Sequence, residues 1–183
     1  MKVLKAILII CIILTGCSAF AQQTTIWLVR HAEKATTPGN DPDLSEAGKA
    51  RALALANQLK DEKIAAVFTT PYKRTAQTGE PTLKKFNLTA MQEYEVADLT
   101  GFAEQVLKEY KGRSVLVIGH SNTIIPTLKA FGATGQSDVL DDDDYDMLFK
   151  LTLDNTGKAS GLEIKHYGVP HHSNKAVPVN TMH

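Results

Sequence analysis

The sequence predicts an α/β protein, a three-layer α/β/α sandwich on a mostly parallel central sheet. Three observations carry that reading. Short runs rich in β-formers alternate with stretches that repeat apolar residues at helical spacing, the signature of strand–helix–strand units. The strongest runs are apolar throughout, as strands covered on both faces must be. With 183 residues, 43% of them apolar and 22% charged, the chain has room for one real core and little for a second.

Thr25 to Val29 is the first such run. A loop dense in Thr, Pro, Gly, Asn and Asp follows from Ala35 to Leu44. Ser45 is placed to cap a helix on which Ala52, Leu55, Ala56 and Leu59 share one face. Ile64 to Phe68 is the second strand and ends at Thr69-Thr70-Pro71, after which Lys73 to Thr78 opens a helix. Ala90 to Tyr94 is a third, weaker strand. Phe102, Ala103, Val106, Leu107 and Tyr110 then mark an amphipathic helix. Ser114 to Ile118 is the fourth strand, ending at Gly119-His120, and the helix after it carries Pro126 in its first turn, where proline costs little. Met147 to Leu153 and Leu162 to His166 read as two strands about Asn155-Thr156-Gly157, a hairpin or an edge pair.

The first 21 residues differ from the rest. Met1 to Lys5 is basic, Ala6 to Leu14 is uninterrupted apolar sequence, and small residues lead to Ala19-Phe20-Ala21. That order is a secretory leader, and its apolar stretch is short of the roughly 20 residues a permanent span needs. The expected organisation is a leader over 1–21 and one domain over 22–183. Leu14-Thr15-Gly16-Cys17 resembles a lipobox, which would leave a lipid on Cys17, while Ala19-Phe20-Ala21 suits ordinary cleavage. Export to the periplasm or medium is the expectation, with membrane contact only through such a lipid. Both cysteines, Cys11 and Cys17, lie in this segment, so the domain itself is expected to use neither disulfide nor thiol chemistry. A formal net charge of zero gives no reason to expect nucleic acid as a partner.

In an open α/β sheet, ligands sit outside the carboxyl ends of the strands. Arg30 and His31 follow the first strand, Arg74 the second, and His120 the fourth. Two arginines and two histidines at one edge make a cationic, donor-rich pocket. Guanidinium forks match phosphate oxygens in pairs, so the residues point to a phosphate site. Helix starts after Pro71 and His120 are expected to add backbone N–H groups to it.

Leu28-Val29-Arg30-His31-Ala32-Glu33 resembles the signature of the histidine phosphatase superfamily, the phosphoglycerate mutase-like group. Thr70-Pro71-Tyr72-Lys73-Arg74-Thr75-Ala76-Gln77-Thr78 is similar to its second arginine segment, Val117-Ile118-Gly119-His120-Ser121 to its second histidine segment, and Leu44-Ser45-Glu46-Ala47-Gly48 to its usual helix start. The resemblance implies a metal-independent, cofactor-free phosphohydrolase acting on a small phosphorylated substrate or a phosphoprotein. It implies that His31 is phosphorylated and that Arg30, Arg74 and His120 bind the phosphate. It also implies an acid for the leaving group. Glu93, Glu95 and Asp98 all follow the third strand, and Glu95, at the strand end, is the expected acid. Mutase-type transfer and phosphate binding without catalysis are the alternatives.

Other features read as bland. Glu33 and Lys34 suit either the pocket mouth or a surface ion pair. Asp141 to Asp144 with Asp146 lacks the spacing of a calcium loop and reads as a solvated acidic loop. His171-His172 is weak as a metal site without further ligands.

Overall fold

The computed structural model describes residues 23–134 and 140–171. The leader, with Cys11 and Cys17, and His172 therefore lie outside the described residues. Six strands form one sheet in the order β3-β2-β4-β1-β5-β6. They are β1 (Thr24–Arg30), β2 (Ile64–Thr69), β3 (Gln92–Glu93), β4 (Ser114–Gly119), β5 (Met147–Leu153) and β6 (Ala159–His166). The pairs β1–β4, β2–β4 and β2–β3 are parallel, whereas β1–β5 and β5–β6 are antiparallel. Among the described residues the α-helices are α1 (Glu46–Gln58), α2 (Lys73–Lys85), α3 (Leu99–Glu109) and α4 (Ile124–Ala130).

Side-chain alternation along the strands builds two cores. Ile26, Leu28, Val115, Val117, Phe149 and Leu151 pack with Phe102 and Val106 of α3 and Ile125 and Leu128 of α4. Trp27, Val29, Leu116, Ile118 and Leu148 face the other way, onto Leu55 of α1 and the adjoining Leu59. Helices on both faces make the three layers the sequence predicts.

Three elements differ from expectation. The third strand shrinks to Gln92–Glu93, because only Phe68 and Thr69 of β2 pair with it at the sheet edge. The second helix runs on through Pro81 to Lys85, and β6 begins at Ala159 rather than Leu162. At the start of α1, Ser45 accepts a hydrogen bond from the Gly48 N–H at 3.1 Å. A side chain at Gly48 would put Cβ 2.2 Å from the Glu33 carbonyl oxygen, so this glycine lets α1 lie against the loop after β1.

The topology positions the site. β1 and β4 are neighbours, Arg30 pairs with Gly119, and the helices that follow the two strands pack on opposite faces. That divergence opens a crevice at the carboxyl ends of β1 and β4.

Candidate active site

The crevice is a cleft of about 840 Å³ lined by Arg30, His31, Arg74 and His120, with Lys34, Tyr72, Val96, Ser121 and Asp142 at its walls. The four residues that the sequence places at strand ends are thus brought together. The His31 N–H donates to the Gly119 carbonyl at 2.9 Å, which extends the β1–β4 ladder by one residue and fixes His31 beside His120. Their rings stand edge to face with centroids 5.2 Å apart. Ala32 N–H donates to Thr78 Oγ1 at 2.9 Å, tying the loop to α2.

His31 Nδ1 lies 2.8 Å from its neighbour's carbonyl, Ala32 O. A carbonyl only accepts, so Nδ1 carries the proton and Nε2 keeps a lone pair. His120 is held the other way round. Arg74 Nη2 sits 3.4 Å from His120 Nδ1 and can only donate, so Nε2 donates to Thr70 Oγ1 at 2.9 Å. Thr70 passes its own hydroxyl proton to Thr75 Oγ1 at 3.1 Å, and Thr75 donates to the Thr70 and Tyr72 carbonyls.

Burial pushes the His31 imidazole down to about 3, with Arg30, His120 and Arg74 adding to the effect against the opposing Ala32 hydrogen bond. Burial and then the charges of Arg74 and Arg30 bring His120 down to about 4. Both rings are therefore neutral at pH 7. An unfolded histidine titrates near 6.5, so on acidification the unfolded chain takes up these protons first and the fold loses stability. The loss begins below pH 6.5 and continues toward pH 3. Melting temperatures between pH 7 and 4 are expected to fall, and to fall less steeply in His31→Ala. A variant with the full wild-type slope would remove His31 as a source.

Tyrosines frame both arginines. The Arg30 guanidinium carbon lies 4.0 Å from the centre of the Tyr145 ring, and that of Arg74 lies 4.2 Å from the centre of Tyr72. Arg30 also donates to the Asp142 carbonyl at 2.6 Å, the Asp141 carbonyl at 3.3 Å and the Tyr145 hydroxyl at 3.2 Å. Arg74 pairs with Asp41 at 3.6 Å. Asp41 also accepts the first N–H of α2, from Lys73, at 3.0 Å. That N–H is therefore taken by a carboxylate, contrary to the expectation that the helix start serves the cleft. Sequence patterns alone assign no role to Tyr72, Tyr145, Thr70 or Asp41. Only Tyr72, two residues before Arg74, carries a local signal.

Glu95 is exposed and does not line the cleft, whereas its neighbour Val96 does. Glu93 is also exposed, and Asp98 caps α3 by accepting the Gly101 N–H at 2.9 Å. Among the described residues, the carboxylate on the cleft lining is Asp142.

The acidic run is not simply a solvated loop. Asp144 and Asp146 are 4% and 1% exposed. Asp144 accepts the Asp141 N–H, and Asp146 accepts the His171 N–H and meets His166. Backbone donors that need acceptors draw these carboxylates inward. His171 Nδ1 is likewise turned to the Asp143 carbonyl at 2.8 Å.

Glu33 is neither at the mouth nor in a surface pair. It accepts from Arg51 Nε at 2.8 and 2.9 Å, and Arg51 also donates to the Tyr167 and Val169 carbonyls. Burial alone would raise the Glu33 carboxyl, but these hydrogen bonds and the guanidinium charge hold it below its ordinary value. Arg51→Ala would strand a buried carboxylate and two carbonyls, and should lower unfolding free energy in urea by about 3–5 kcal/mol. A loss under about 1 kcal/mol would reduce the pair to surface strength.

A sequence model of the histidine phosphatase superfamily (branch 1) matches residues 26–99. Phosphoserine phosphatase 1 of Hydrogenobacter thermophilus is 33% identical over 95 residues, which cover 45% of this chain and 45% of that protein. The chain thus matches less than half the length of this curated relative. Among solved structures, the protein histidine phosphatase SixA complexed with tungstate superposes with a TM-score of 0.64 at 22% identity, over 78% of this chain and 96% of that one. The mycobacterial glucosyl-3-phosphoglycerate phosphatase gives 0.58 at 10% identity, over 79% and 98%. These two likenesses are of fold. The sequence match runs from β1 through Arg30, His31 and Arg74, the strand-end residues that line the cleft, and over this segment the chain is similar to the histidine phosphatase superfamily, branch 1.

Proposed function

We propose that the protein is a phosphatase that hydrolyses phosphomonoesters or phosphorylated residues through a phosphohistidine on His31. One observation carries the reading above the others. His31 is neutral, its Nδ1–H is anchored on Ala32, and its Nε2 lone pair is left in a cleft that also holds Arg30, Arg74 and His120. A pre-aligned imidazole nitrogen beside fixed cations is what a two-step displacement at phosphorus needs. Nε2 forms a bond to phosphorus as the bond to the leaving oxygen breaks, and that oxygen departs with the electron pair and gains a proton. Water then attacks the phosphorus, the N–P bond breaks, and inorganic phosphate leaves.

The names of the relatives support the substrate class, a small phosphate ester or a phosphorylated protein side chain. The source of the leaving-group proton is a carboxyl at the rim. Glu95 adjoins the wall residue Val96, and Asp142 lines the wall itself. Glu95→Gln and Asp142→Asn, compared on serine phosphate and on p-nitrophenyl phosphate, identify the donor. Its loss slows only the ester with the poor leaving group. The leader read in residues 1–21 supports an activity outside the cytoplasm, with a lipid on Cys17 as a route to the membrane; cell fractionation and mass spectrometry of the mature N-terminus test that.

The direct test of the function is rapid quenching with a labelled phosphate ester at alkaline pH. A phosphoryl group should be recovered on the peptide that contains His31. Turnover with no label on that peptide would overturn the mechanism, and vanadate binding without turnover across an ester panel would replace hydrolysis with phosphate binding.

A further inference from the structure

Arginine holds an anion with N–H groups that lie in the guanidinium plane. A carboxylate partner occupies that edge, as Glu33 does on Arg51, whose remaining donors reach two carbonyls. An aromatic partner stacks on the face and leaves the edge open. Both cleft arginines have the second kind of partner, with a carboxylate only at longer range, Asp142 at 3.7 Å from Arg30 and Asp41 at 3.6 Å from Arg74. Tyr145 lies under Arg30 and Tyr72 under Arg74, at 4.0 and 4.2 Å.

Each tyrosine also touches one histidine. The Tyr145 ring meets His31 edge to face at 6.1 Å, and Tyr72 meets His120 at 5.2 Å. The cleft therefore contains two similar units, Tyr145–Arg30–His31 and Tyr72–Arg74–His120. Arg30 has five donors. Nη1 is used on the Asp141 and Asp142 carbonyls and one Nη2 hydrogen on the Tyr145 hydroxyl, with the Asp142 carboxylate 3.7 Å from Nη2, while the buried Nε has no hydrogen-bond partner among the described residues.

The tyrosines are themselves anchored. Tyr145 N–H donates to the His171 carbonyl at 2.9 Å, its ring packs at 5.1 Å from His171, and the His171 N–H is held by Asp146 at 3.0 Å. Tyr72 N–H donates to the Thr70 carbonyl at 2.7 Å.

We infer that Tyr145 and Tyr72 are positioning residues of the phosphate site, each fixing one arginine by its face so that in-plane donors remain for the phosphoryl oxygens. The inference rests on the phosphatase reading above. The two tyrosines differ in one respect. Tyr145 adds a hydroxyl contact to its arginine, whereas Tyr72 acts by its ring alone.

The test is vanadate affinity by calorimetry, with kcat and KM on p-nitrophenyl phosphate, for alanine and phenylalanine variants of each tyrosine. Tyr145→Ala and Tyr72→Ala should each weaken vanadate about tenfold and lower kcat more than they raise KM. Tyr72→Phe should recover to within about twofold, and Tyr145→Phe only to about threefold. In Arg30→Ala the effect of Tyr145→Ala on kcat/KM should vanish, and in Arg74→Ala that of Tyr72→Ala. Effects that persist in full in the arginine variants, or alanine variants that bind vanadate like wild type, would overturn the inference. If Tyr145→Ala fails to fold, Tyr145→Phe with and without Arg30→Ala separates the same two outcomes. Arg30→Ala and Arg74→Ala with undiminished turnover would instead sink the phosphatase reading.

Discussion

His31→Ala is expected to lower kcat by about four orders of magnitude or more while leaving vanadate bound within about tenfold of wild type. The reason lies in the two histidines' different hydrogen bonds. His31 has Nδ1 fixed on the Ala32 carbonyl, and its Nε2 has no hydrogen-bond partner among the described residues. His120 has both nitrogens engaged, Nδ1 with Arg74 and Nε2 with Thr70. No free lone pair on His120 stands ready to replace the lost one. Vanadate binding depends instead on Arg30, Arg74 and His120, which the substitution leaves in place. Activity and affinity should therefore separate, and a misfolded variant would lose both together. Residual turnover above about a tenth of wild type would assign the nucleophile elsewhere.

The parts of the fold that are legible in the sequence are those buried on both sides. β1, β2 and β4 sit between two helical layers, so nearly every position in them has to be apolar. β3 escapes its predicted length because a two-residue edge pairing at Gln92 and Glu93 demands nothing apolar. β6 is also an edge strand, and Gly161 and the exposed Ser160 near its start hide where it begins. The site divides in the same way. Arg30, His31, Arg74 and His120 follow strand ends or the turn just after one, so strand order alone carries them to one crevice. Arg51, Tyr145 and Asp41 meet their partners through packing between segments far apart in the chain, as when Tyr145 reaches Arg30 across 115 positions. No spacing rule announces such a contact. Glu95 illustrates the converse: after so short a strand, one residue of turn is enough to put Val96, rather than Glu95, on the wall.

Arg74→Ala is the second large effect, an expected loss of about 10²–10³ in kcat/KM. Arg74 has one face on Tyr72, one Nη near Asp41 at 3.6 Å and the other against His120 Nδ1 at 3.4 Å. Its removal takes a cation from the cleft and also frees His120 Nδ1 from the donor that fixes its tautomer. With Arg74 gone, one charge that lowers His120 is lost, so this imidazole should protonate at a higher pH than in wild type. The kcat/KM profile of Arg74→Ala should therefore move to higher pH on its acid side, a change that simple misfolding would not give. Arg74→Lys restores the charge but neither the planar fork nor the face-on stack, and should recover at most about a tenth of the lost activity. Full recovery by lysine would show that a point charge suffices, and the pairing of Arg74 with Tyr72 would then carry no catalytic weight.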